Sequence, residues 1–384
     1  MTVPDDGSRA ALDRYCRTST RILDALLAAE PVWATELGDH RYDAELPDLS
    51  AAGVESRATM LGEALAALDG LDDAGLDSDD LVDLELLRSK VSADLWSLTE
   101  LRQQEWNPLL HLPGDAIYSL VSRDTGHAVE RARALSGRLR GVPNQLAVAR
   151  DTLGEMPRVH AETARLQLAG ALSLLDADVE ELLGRAPTER ALVEGPREAA
   201  RAALVEHDRW LLDRLDSSQR DPRLGERAFA AQLWYALDTE IDPDALLTRA
   251  ESDLMAIEEE ISAVAARIGP GLGVPRSKRP SDMVRDVLDA LAAGGPVTNE
   301  TVLPLCRRWL KVAQDVVREH DLVTMYDDPI RVIEMPESRR GVAVAYCDQR
   351  ERRVPPGKNA RSPKSAAISS TPLDSSPTLS MVHW

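Results

Sequence analysis

DPDALLTRAESDLMAIEEEISAVAARI, residues 242–268, is the stretch on which the fold class turns. Leu246, Ala250, Leu254, Ile257, Ile261, Val264 and Ile268 recur every three or four positions. That spacing puts them on one stripe of an α-helix; in a half-buried strand apolar residues would alternate. Asp242 before Pro243 is a start signal. The carboxylate can accept from the first free N–H groups, and proline, which has no N–H and a helical φ, suits the first position. Glu258, Glu259 and Glu260 fall mainly off the stripe. The stretch therefore predicts a long amphipathic helix with a face to bury against other helices.

The same period runs through most of the chain. It predicts helices over about 9–30, 50–69, 78–98, 115–122, 127–140, 143–153, 157–184, 188–215 and 225–238, with Pro143 in a first helical turn. Ser50 is placed to cap one of them, and Ser281 and Asn299 to cap two more beyond residue 280. Hydrophobic residues make up 43 % of the chain but phenylalanine occurs once, so the interhelical core must rest on Leu, Ala, Val and Ile. Only two segments, 330–335 and 341–346, are β-branched and alternating, which predicts one small hairpin or sheet. The organisation read from these patterns is a helical domain over 1–268, a Gly- and Pro-rich connector over 269–280, helices plus short strands over 281–348, and a disordered tail over 349–384.

Charge and composition exclude several functions. A net charge of −20 argues against a nucleic-acid partner, which needs a basic face to displace counterions. No apolar run approaches the roughly 20 residues that span a bilayer, so no membrane partner is expected. Cys16, Cys306 and Cys347 stand alone, and MTVPDDGSRA carries no basic-then-apolar leader; the expected location is the cytoplasm.

Residue chemistry names no reaction. Of seven histidines, no two stand within four positions, so the paired-histidine zinc helix is missing. Gly269-Pro270-Gly271-Leu272-Gly273 lacks both the preceding strand and the closing Gly-Lys-Ser/Thr of a phosphate loop. The acids between Asp72 and Asp80 lack calcium-loop spacing and suit helix capping instead. No catalytic and no metal-ligating residue is assigned.

Several segments together resemble the bacterial domain-of-unknown-function 885 family. The first is Pro31-Val32-Trp33-Ala34-Thr35-Glu36-Leu37-Gly38-Asp39-His40 with Tyr42-Asp43 and Leu46-Pro47-Asp48-Leu49-Ser50. The second is Trp106-Asn107-Pro108, and the third Arg138-Leu139 with Pro143, Leu146, Ala149-Arg150 and Leu153. The fourth is Arg223-Leu224-Gly225-Glu226 with Leu233 and Leu237; the fifth is Met335-Pro336 leading into Gly341 to Tyr346. The resemblance implies a multi-helix, zincin-like peptidase scaffold that holds zinc, in complete relatives, on a His-Glu-x-x-His helix following the strands. On that implication this chain is a C-terminally truncated copy, catalytically incomplete, with no cofactor of its own. The strand Gly341, Val342, Ala343, Val344, Ala345 and Tyr346 would then pair with an extended peptide substrate. A non-catalytic helical module that binds a protein or peptide is the alternative, and exposed apolar surface would favour self-association.

Overall fold

Thirteen α-helices and three short strands make up the regular structure of the described residues, so the chain is mainly α as its periodicity predicts. The computed structural model describes residues 6–122, 126–237, 239–275, 279–295, 297–325, 330–334, 345–348 and 378–381. They fall into two units, divided between Leu224 and Gly225, with the strands grouped with the first. No described helix is long and apolar enough to cross a membrane.

In the first unit, α1 (Asp6–Ala29), α3 (Ala51–Asp69) and α4 (Ser78–Trp96) bury one apolar cluster, including Tyr15, Ile22, Leu61, Leu84 and Val91. Their start signals work as read. Ser50 Oγ accepts from Gly53 N at 3.1 Å. Asp77 Oδ1 accepts from Asp79 N and Asp80 N, at 3.0 and 2.9 Å, and so caps α4. A larger cluster is formed by α5 (Gly114–Val121), α6 (Ala128–Thr152), α7 (Arg158–Asp176), α8 (Asp178–Arg185) and α9 (Arg190–Arg214).

Three expectations are corrected here. Residues 127–140 and 143–153 form one helix, α6, with Pro143 inside it. Proline there removes one backbone hydrogen bond and crowds the preceding turn. Leu135, Leu139, Val142, Leu146 and Ala149 are all fully buried on both sides of it, and that burial holds the helix continuous. Conversely, the single helix expected over 157–184 is interrupted at Ala177 into α7 and α8. Finally, Pro31 does not only end α1; it opens a short α2 (Pro31–Glu36), where its fixed φ suits the first turn.

The sheet departs from a simple hairpin. Strand β1 (Arg331–Glu334) and β2 (Ala345–Asp348) do not pair with each other; β3 (Thr378–Met381) lies between them, parallel to β1 and antiparallel to β2. Thus the segment expected to be a disordered tail contributes, at 378–381, the central strand. Residues 349–377 and 382–384 lie outside the described residues.

The second unit contains α10 (Glu226–Leu237), α11 (Pro243–Ile268), α12 (Pro280–Gly294) and α13 (Asn299–Glu319). Asp242 caps α11, its Oδ1 accepting from Asp244 N at 3.0 Å. Ala265, Val274, Met283 and Val287 form the buried cluster of this unit.

Candidate functional site

The first resembling segment folds as a brace on α6. After α2, Gly38 takes φ +87°, a left-handed conformation that favours glycine, and turns the chain into a short 3-10 turn, His40–Tyr42. The following residues lie against α6 so closely that a Cβ on Gly137 would stand 2.7 Å from the carbonyl oxygen of Ala44. Beside that contact Arg138 is fully buried. Its Nη1 donates to Ala116 O at 2.6 Å and to Ser119 Oγ at 2.8 Å. Its Nη2 donates to Thr35 Oγ1 at 2.5 Å and to Pro31 O at 3.3 Å. The Thr35 hydroxyl lies 2.7 Å from Asp43 Oδ1, and His40 Nδ1 lies 2.8 Å from Asp43 Oδ2. Burial pushes the Arg138 guanidinium down to about 10, against the opposing pull of Asp43 and Glu36, so it stays charged near neutrality. Thr35, Asp43 and Arg138 therefore join segments about a hundred positions apart, Thr35 and Arg138 being separated by 103, and their role is structural.

The second segment forms a lid on a helix end. The last turn after α4, Ser97–Leu101, widens to π geometry, and Arg102 follows at φ +51°, strained for a residue with a side chain. The carbonyls freed there are taken up by side chains: Gln104 Nε2 donates to Leu98 O at 3.1 Å and Trp106 Nε1 to Leu101 O at 3.0 Å. Arg102 is held by Glu105, Nε to Oε1 at 2.8 Å.

These pieces line the candidate site, an open cleft of about 620 Å³. Its walls come from Leu49, Ser50, Val54 and Glu55 at the start of α3, Leu98, Thr99 and Arg102 at the π turn, and Val148, Asp151 and Thr152 at the end of α6. Two of the resembling segments touch or adjoin the cleft: the first ends at Leu49-Ser50, and the second begins one residue after the lining residue Glu105. The lining residues Val148, Asp151 and Thr152 stand between matching residues of the third without being among them. Behind it lies a polar core. His111 Nε2 donates to the carbonyl of the lining residue Gln104 at 2.8 Å, and Gln145 Nε2 donates to His111 O at 3.1 Å. His207 is fully buried and stacks on Trp210 with ring centroids 5.2 Å apart. Its imidazole is pushed down to about 4 by burial, with Arg150 and His111 adding to the effect and Asp208 opposing it.

Zinc, implied by the resemblance, can be tested against these donors. Among the described residues no three His, Cys, Asp or Glu side chains converge on a point that could hold a metal ion. His111 spends its Nε2 on a backbone carbonyl, and His160 stacks on Trp106 at 5.8 Å. The described donor set does not fit zinc, and no chemical step is derived through it. Of the strand residues expected to meet a peptide, Ala345 and Tyr346 lie in β2, at one edge of the sheet. Gly341, Val342, Ala343 and Val344 lie outside the described residues.

The family description "Bacterial protein of unknown function (DUF885)" matches residues 31–382. The chain belongs to the DUF885 family. No curated protein matches this DUF885 chain. A solved structure from Shewanella oneidensis, described as "a putative lipoprotein of unknown function", is similar to it with a TM-score of 0.67 at 21 % identity. The likeness covers 84 % of this chain and 61 % of that one, and at this identity it shows the fold alone. This DUF885 chain therefore spans about three-fifths of the length of the structure it matches.

Sequence reasoning did not find the cleft. Arg102, Glu55 and Asp151 belong to no motif and come together only through the packing of α3, the π turn and α6. One signal was present: Asp151 is an acid in the last turn of a helix, where the helix dipole disfavours it.

Proposed function

We propose that the described helical part of this DUF885 protein holds peptides and does not itself cut them. The observation that carries this reading is the 620 Å³ cleft, where apolar walls (Leu49, Val54, Leu98, Val148) alternate with hydrogen-bonding groups (Ser50, Thr99, Arg102, Thr152). Ligand sites commonly join a mainly apolar lining to a few placed polar groups in a volume of roughly 300–1,000 Å³. The resemblance that implies a peptidase-like scaffold agrees with a peptide as the occupant. In the fuller form of the reading, the chain is the N-terminal, substrate-holding part of a zinc-dependent peptidase-like protein, with metal chemistry supplied by residues other than those described.

A mixed library of short peptides, incubated with the full chain with and without zinc, tests both parts. Binding by titration calorimetry with no products in mass spectrometry is the expected result. Zinc-dependent cleavage would overturn the non-catalytic reading, and the absence of any peptide binding would overturn the reading as a whole.

A second reading has its own observation. Among the described residues β2 is an edge strand, and an edge strand can take up an added strand through its backbone; on this reading Ala345 and Tyr346 meet an extended peptide. Proline at position 346 would remove an N–H there. Loss of peptide binding on Tyr346→Pro, with Glu55 and Asp151 intact, would move the site from the cleft to the strand.

A further inference from the structure

We infer that the cleft selects a cationic peptide group, the side chain of a lysine or arginine or a terminal ammonium. The inference rests on the reading of the cleft as a peptide site and adds its charge preference. Four charged residues line the cleft: Glu55, Arg102, Glu105 and Asp151. Arg102 and Glu105 are bound to each other, so their charges offset. Glu55 and Asp151 have no ion-pair partner among the described residues, and both are exposed. The cleft therefore presents two unspent carboxylates from two separate elements.

The position of Asp151 strengthens the case. It stands in the last turn of α6, a helix of 25 residues, whose carbonyl end carries the negative end of the dipole. A carboxylate there opposes the local field unless a cation joins it. Arg150, its neighbour, ion-pairs with Glu206 on α9, at 3.5 Å, and not with Asp151. Asp151 thus has no ion-pair partner among the described residues at this end of the cleft.

The walls choose among cations. Leu49, Val54, Leu98 and Val148 suit the methylene stem of a long basic side chain, whose charged head would stay near the exposed carboxylates. A hydrated metal ion would gain nothing from such walls.

Three labelled tetrapeptides that differ only in one central residue, lysine, glutamine or glutamate, are titrated into the full chain by fluorescence anisotropy. The lysine peptide is expected to bind about tenfold more tightly than the glutamine peptide, a difference that shrinks as salt is raised because the pairs are solvent-screened. The double variant Glu55→Gln with Asp151→Asn, both exposed positions, should erase the preference while leaving the circular dichroism spectrum unchanged. Equal binding of the lysine and glutamine peptides, or a preference that survives the double variant, overturns the charge selection and leaves the peptide reading standing. No binding of any of the three overturns both.

Discussion

The two units carry the same kind of sequence and treat it differently. Helix α6 in the first unit and α11 in the second are 25 and 26 residues long, each with apolar residues at helical spacing. On α6 the stripe from Leu135 to Ala149 is fully buried. On α11, Leu254 is 57 % exposed, Ile257 53 % and Ile261 47 %, and burial begins only near Ala265. Helix α13 repeats the pattern, with Trp309, Val312 and Val316 exposed along one stripe. Periodicity thus reports that a face exists and not that a neighbour covers it. In the second unit a cluster of four residues, Ala265, Val274, Met283 and Val287, does the work that α5 to α9 share in the first.

Mutations can sharpen the contrast. The largest effect should come from Arg138→Ala, which strips the partners of Thr35, Ser119 and two backbone carbonyls inside the first unit. Breaking a buried charged network by removing one member costs about 3–5 kcal/mol, read as a shift in the urea midpoint. An unchanged midpoint would mean that the brace of residues 31–50 on α6 forms without it.

Next come matched truncations on the two helices. Leu146→Ala on α6 empties a fully buried site and should cost about 2–5 kcal/mol. Leu254→Ala on α11 removes a side chain already facing solvent and should change stability by less than about 0.5 kcal/mol. A large loss at Leu254 would break the comparison, since it would show that a second copy of the chain or another partner covers that face in solution. Sedimentation at two protein concentrations would then tell self-association from a monomer.

A further effect, graded with pH, arises in the first unit. His207 is held neutral down to about 4, whereas its ordinary value is 6.5. Between those values the unfolded chain binds the proton and the native chain does not, so stability rises with pH there. It is complete above about 6.5 and falls by roughly 1.4 kcal/mol per pH unit as acid is added. His111, lowered by its own burial, acts in the same direction. Urea unfolding at pH 7.5, 6 and 5 should show the slope, and His207→Gln should flatten it; a slope unchanged by that variant would assign the effect elsewhere.

Much of this molecule was legible in its residues. The helical class, the caps at Ser50 and Asp242 and the first-unit helix faces follow from local rules, because a cap or an i, i+4 stripe depends on residues a few positions apart. The resembling segments were visible too, but as isolated words. Nothing local says that Thr35 and Arg138, 103 positions apart, form one network, that Pro143 lies within a continuous helix, or that Thr378–Met381 enters a sheet between β1 and β2. Those depend on contacts made only after the chain returns on itself, where burial outweighs the local cost of proline and a buried arginine finds its carbonyls. The cleft belongs wholly to that second kind of information. Glu55, Arg102 and Asp151 are ordinary surface charges in the sequence, and only the packing of α3, the π turn and α6 brings them to one wall.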